Sequence, residues 1–128
     1  MQNNWIEKLS KALALEPYEQ DWGISNSDFN RINEFISFYE NNIPEHNWEP
    51  EALAELIFQS VEDAIENQQF TSQNQLKDFL IKHNNEFPET LNYWTSLTVK
   101  EWKMPGIINQ TLHNKSLNQT GAKDAPPG

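Results

Sequence analysis

The side chains of this chain that could do chemistry in number are carboxylates. Glu51, Glu55, Glu62 and Glu66 follow one another at steps of four, seven and four residues, and Asp63 adjoins Glu62. At about 100° per residue, the four glutamates fall within an arc of about 60° on a helix. Acids packed this densely can work as general acid and base, hold a cation, or present a field to a charged partner. The first two uses need company that is missing. His46, His83 and His113 are scattered, and neither a His-Glu-x-x-His pair nor two Glu-x-x-His helices occur. The stretch Glu40 to Glu51 has the length of a calcium loop but puts Glu45 where the turn needs glycine. With no cysteine, no nucleophile elbow, and glycine only at 23, 106, 121 and 128, thiol, serine and phosphate-cradle chemistry lack their residues. The expectation is a protein that is not an enzyme and takes no metal or cofactor.

The elements that must carry these acids read as helices. Asn4, Trp5, Glu7, Leu9 and Leu13 outline a first helix ended by Pro17, and Ser27 starts a second bearing Phe29, Ile32, Phe35, Ile36 and Tyr39. Pro50 opens a third, Glu51 to about Asn67, with Leu53, Leu56, Ile57, Val61, Ala64 and Ile65 as its buried arc. A fourth starts at Ser72 and buries Leu76, Phe79 and Leu80, and a fifth opens at Pro88-Glu89-Thr90. Further on, Pro105-Gly106 interrupts the pattern, leaving a short last helix over about Ile107 to Lys115, or a hairpin across 96–109. The fold class is all-α: a single compact bundle of five to six short helices over residues 1–116. Residues 117–128 have nothing to bury and are expected to be a disordered tail.

Charge is distributed unevenly. The 128 residues hold nineteen acids and nine bases, a net −10. Residues 16–66 contain thirteen of those acids and one base, Arg31, for a net −12, while the flanks are each +1. In the third helix the pairs Glu51–Glu55 and Glu62–Glu66 set like charges at i,i+4, each a cost of about 0.2–0.5 kcal/mol, with no Lys or Arg to offset them. Such a stripe can be simply a solvated face, but a solvated face usually alternates sign. Uncompensated repulsion instead suits a surface made for a basic protein, and disfavours nucleic acid as partner. Aromatics adjoin it: Trp22 and Trp48 in the flanking loops, and Phe58 beside the stripe, any of which could equally plug the core. The expected partner-binding set is Asp21, Trp22, Glu45, Trp48, Glu51, Glu55, Phe58, Glu62, Asp63 and Glu66.

A cysteine-free, acidic chain of this size, with Glu51-x-x-x-Glu55 and Glu62-Asp63-x-x-Glu66 on one helix, resembles the small bacterial immunity proteins of toxin–immunity pairs, including those of contact-dependent growth inhibition. The resemblance is one of general character over residues 1–116, and it transfers no binding residue position by position. It implies a cytoplasmic protein that binds and neutralises one cognate toxin domain, such as a nuclease, by covering its basic active site or substrate groove. No apolar run approaches the ~20 residues of a membrane span and the N-terminus lacks a secretion-signal plan, so neither membrane nor export is expected. The alternative is a regulatory adaptor that binds a partner peptide or helix through an aromatic groove, its acidity serving solubility.

Overall fold

A computed structural model describes residues 4–71, 73–96 and 103–112, and these are helical throughout apart from short connections, with no strand among the described residues. The order is α1 (Asn4–Leu13), α2 (Trp22–Ser25), α3 (Ile32–Asn41), α4 (Trp48–Glu66), α5 (Gln73–His83), a 3₁₀ turn (Asn84–Glu86) and α6 (Pro88–Thr95). A last helix, α7, runs over residues 104–112.

The longest helix, α4, is the axis of the fold. Twelve of its nineteen residues are buried, because α1, α2, α3 and α6 all pack against it. Its apolar residues Leu53, Leu56, Ile57, Phe58, Val61 and Ala64 join Phe35, Phe79, Phe87 and Trp94 in one core. The rings meet mostly edge to face: Phe58 lies 5.8 Å from Phe87 and 6.0 Å from Trp94, while Phe79 stacks on Phe87 at 5.5 Å. Offset and edge contacts of this kind add about 0.5–1.5 kcal/mol per pair beyond the area they bury.

Local chemistry decides where the helices start and stop. α1 and α4 end on residues with positive φ, Ala14 and Gln68. The next amides, Leu15 N–H and Gln69 N–H, reach back to the carbonyls of Ser10 and Ala64 at 2.8 and 2.7 Å, the six-to-one closure of a helix end. α1 thus stops at Leu13, ahead of Pro17. α3 begins at Ile32, not Ser27, because the Asp28 carboxylate accepts from the Asn30 amide and its own amide donates to Ser60 Oγ on α4. That turn holds the chain out of a helix.

Two short elements depart from expectation. The stretch read as a loop contains the single turn α2, pressed so closely on α4 that a Cβ on Gly23 would lie 2.8 Å from the Leu56 backbone nitrogen. Only glycine permits that approach. The last helix begins at 104, with Pro105 in its first turn. A proline costs no hydrogen bond there, so it opens this helix where the sequence suggested an interruption. Helix over 104–109 also replaces the hairpin considered across 96–109. The proposed cap at Ser72 and the tail 117–128 lie outside the described residues.

Candidate functional site

The acids of α4 divide by direction. Glu51 and Glu62 stand eleven residues apart, three turns or about 16 Å along the axis, and so occupy nearly one azimuth. Both carboxylates are buried, at 8% and 0% exposed. Glu51 accepts the Glu89 and Thr90 amides at 3.1 and 2.7 Å, and the Thr90 hydroxyl donates to the Glu51 carbonyl at 2.9 Å. Glu62 accepts the Lys103 amide at 2.8 Å and the Met104 amide at 2.8 Å. Each glutamate therefore supplies, from a distant helix, the acceptor that the exposed N–H groups at the start of α6 or α7 require. The carboxylate also meets the positive end of the helix dipole.

Glu49, on another side of α4, is equally enclosed. It accepts from Lys8 Nζ at 2.9 Å, Asn42 Nδ2 at 3.0 Å and the Glu45 amide at 3.1 Å. Burial alone would raise its pKa, but the Asn42, Lys8 and Glu45 contacts outweigh it and hold the carboxyl below its ordinary value. Asp63 accepts from Ser27 Oγ at 2.6 Å and from Gln59 Nε2 at 3.0 Å, tying α4 to the segment before α3.

Four of the residues expected at a partner surface are thereby corrected. Glu51 and Glu62 hold helix starts and face inward. Phe58 is 0% exposed at the centre of the aromatic core. Trp22 is buried as well, its indole N–H donating to Ser10 Oγ at 2.7 Å and its ring meeting Trp5 edge-on at 6.0 Å. Trp22, Phe58 and Glu62 are closed off from a partner while the fold is intact, whereas Glu51, 8% exposed, keeps an edge at a surface cavity with its oxygens on the α6 amides. Like-charge spacing on α4, read as repulsion tolerated for a partner, is relieved for these two glutamates by backbone amides.

The remaining candidates stay accessible, and four of them gather. Glu55 is half-buried, with no hydrogen bond or ion pair among the described residues. Burial raises its pKa, and the neighbouring Asp21 raises it further. Asp21 is exposed, at positive φ, immediately before α2. Glu55 also lines a cavity of about 220 Å³ together with Trp48, which is 50% exposed at the start of α4. Trp5, Glu51, Ala52, Glu89, Thr90 and Tyr93 complete its walls. Trp5 is shared with a second depression lined by Lys8, Glu45, His46 and Glu49, where Lys8 pairs with both glutamates. Asp21, Glu55, Trp48 and Glu45 thus lie along one face. Glu66 is exposed eleven residues beyond Glu55, about 16 Å further along α4, and Asp63 sits at that same far end, so neither joins the group.

Trp5, Tyr93 and Glu89 are additions to this face that sequence reasoning misses. Trp5 follows the apolar spacing of α1 and reads as core. Tyr93 gives one signal, an aromatic placed between the inward residues Leu91 and Trp94 rather than among them; it is 53% exposed.

A second titratable cluster is closed on itself. Tyr39 Oη donates to Glu86 at 2.6 Å, and His83 lies between Glu40 at 3.0 Å and Glu86 at 3.1 Å. Burial, then the Glu86 contact, pushes the Tyr39 hydroxyl far above its ordinary pKa, so it keeps its proton. His83 stands at the edge of the core against Tyr39 and Phe79, clamping α3 to α5. Among the described residues no group of three or more His, Cys, Asp or Glu is arranged to hold a metal ion. No described helix is long and apolar enough to cross a membrane. In comparisons with known proteins, the chain matches no family model, no curated protein and no solved structure.

Proposed function

We propose that the chain is a binding protein that engages a basic protein partner through the face formed by Asp21, Glu55, Trp48 and Glu45, in the manner of a cytoplasmic immunity protein neutralising its cognate toxin. The observation that carries this reading is what remains once internal pairing is counted. Glu49, Glu51, Glu62 and Asp63 have partners inside the fold. The Asp21 and Glu55 carboxylates have no such partners among the described residues and stand together, their mutual repulsion uncompensated. Lys8 is paired with Glu49 at 2.9 Å and lies 3.9 Å from the Glu45 carboxylate, which itself stays largely exposed. Half-exposed Trp48 and Tyr93 line a cavity with Glu55, and are of the residue types that anchor interfaces by burying large area at small entropic cost.

A toxin that cleaves nucleic acid must present Lys and Arg to phosphate, and an acidic face can occupy the same groove. Inhibition is then occlusion, with the carboxylates setting approach and the rings supplying packed contact. The test is co-expression with the protein domain encoded in the adjoining reading frame. The expected result is restored growth of cells producing that domain, and a complex whose association rate falls at least about tenfold as ionic strength rises. Without rescue or a complex the reading fails. A complex indifferent to salt would favour the adaptor alternative, in which an apolar groove carries the binding.

A further inference from the structure

The cavity between α1, α4 and α6 has a composition more specific than an acidic face requires. Three aromatic rings, Trp5, Trp48 and Tyr93, and three carboxylates, Glu51, Glu55 and Glu89, line it, and among the described residues no basic side chain does. The rings come from three different helices, so the space exists only in the folded bundle. Trp5 is held in place from behind by its edge contact with the buried Trp22. Glu51 turns its oxygens to the α6 amides and fixes the α6 wall against α4. Glu55 is left half-buried at the cavity with no counter-ion among the described residues.

Aromatic faces carry negative quadrupole charge and attract a cation lying within about 6 Å of the ring centre. A half-desolvated carboxylate beside them gains most from a positive charge of the same kind. The volume, about 220 Å³, has room for one side-chain head. A neutral apolar group would leave Glu55 buried and unpaired, and an anion would meet three carboxylates.

We infer that this cavity is the socket for a single cationic side chain of the basic protein partner, with arginine the better fit because its flat guanidinium can stack on an indole while pairing with the Glu55 carboxylate. This rests on the proposed binding function and specifies its central contact. Trp48 and Tyr93, each about half exposed, are the rings most open to the arginine, and the less exposed Trp5 lines the same space.

The site can be tested without the partner. Acetyl-arginine-amide is titrated into the full chain, with acetyl-norleucine-amide as the neutral probe, while the tryptophan indole N–H signals are followed by NMR. The expected result is movement of the Trp48 and Trp5 signals with the arginine probe only, the buried Trp22 signal staying fixed. Trp48→Ala and Glu55→Gln should each weaken that response about tenfold, and the distant Glu66→Gln should not. No response to the arginine probe, an equal response to norleucine, or unchanged binding by both site variants overturns the socket. The two readings fail separately. If the adjoining-frame domain binds these variants as tightly as the parent chain, the socket is wrong and the binding function stands. If the probe binds as expected but that domain forms no complex, the partner assignment is wrong and the cation site stands.

Discussion

Glu51 and Glu62 on one side, Glu55 and Glu66 on the other, are the same residue type on the same helix, each pair repeating at eleven residues. Their azimuths differ by only about 40°. Within that small rotation the first pair passes beneath α6 and α7 and becomes part of the framework, while the second reaches half or full solvent. A carboxylate's role on α4 is therefore set by whether a helix begins above it. Glu51 and Glu62 stabilise the fold by meeting amides that would otherwise be buried without acceptors. Glu55 costs stability, since burial and Asp21 both disfavour its charge. A fold keeps a group of the second kind more readily when something outside it supplies the missing counter-charge.

The sharpest way to break this distinction is Glu62→Ala. Removing the acceptor leaves the Lys103 and Met104 amides facing an empty, dry site, and should destabilise the chain by about 2–4 kcal/mol in urea unfolding. Glu62→Gln keeps one oxygen and should lose roughly half as much. A cost near that of a surface substitution, within about 0.5 kcal/mol, would mean that the α7 start is not held by this contact.

Glu49→Gln is the next largest, at about 1–2 kcal/mol near neutral pH, because the charge-assisted bond from Lys8 is weakened. The folded pKa of Glu49 is depressed, so its contribution is complete above the unfolded value and lost as pH falls through the folded one. Curves of stability against pH for the parent chain and for Glu49→Gln should therefore converge in acid. Parallel curves would disconnect Glu49 from acid unfolding.

The smallest effect has the opposite sign. The folded pKa of Glu55 is raised, so the fold is free of any penalty from this group below the unfolded value and loses stability as pH rises through the folded one. Glu55→Gln should accordingly be slightly more stable than the parent at neutral pH and equal to it in acid. The same variant is expected to weaken cation binding. A substitution that stabilises the fold and impairs binding separates the outward acids from the inward ones in a single protein. Loss of stability at neutral pH would place Glu55 with Glu51 and Glu62 instead.

Much of the fold is legible in the sequence because it rests on local periodicity. The apolar spacing of Leu53, Leu56, Ile57, Val61 and Ala64 marks α4 as a core helix, and Pro88 marks the start of α6. What cannot be read depends on contacts far apart in the chain. A helical wheel places Glu51 and Glu62 on one side but does not say that other helices begin there, and their acceptor contacts span 38 to 42 residues. α2 is too short to leave a periodic trace and exists by virtue of Gly23 lying against α4. Pro105 misleads because a proline's meaning reverses between the interior of a helix and its first turn. At the candidate site, Trp48 and Glu55 are visible as an exposed aromatic beside an acid. Trp5 is hidden by its apolar spacing, and Tyr93 and Glu89 by lying well beyond the acidic segment in the chain.

The inward pair also imposes a schedule on the growing chain. Glu62 is made forty-two residues before the Met104 amide that it receives. Through that interval α4 can form and pack against the segments already made, but its two carboxylates must remain hydrated. Glu51 can find its amide partners only once residues 89–90 exist, and Glu62 only once residues 103–104 do. A chain ending before residue 103 would leave the Glu62 carboxylate without the two amides it accepts in the complete bundle.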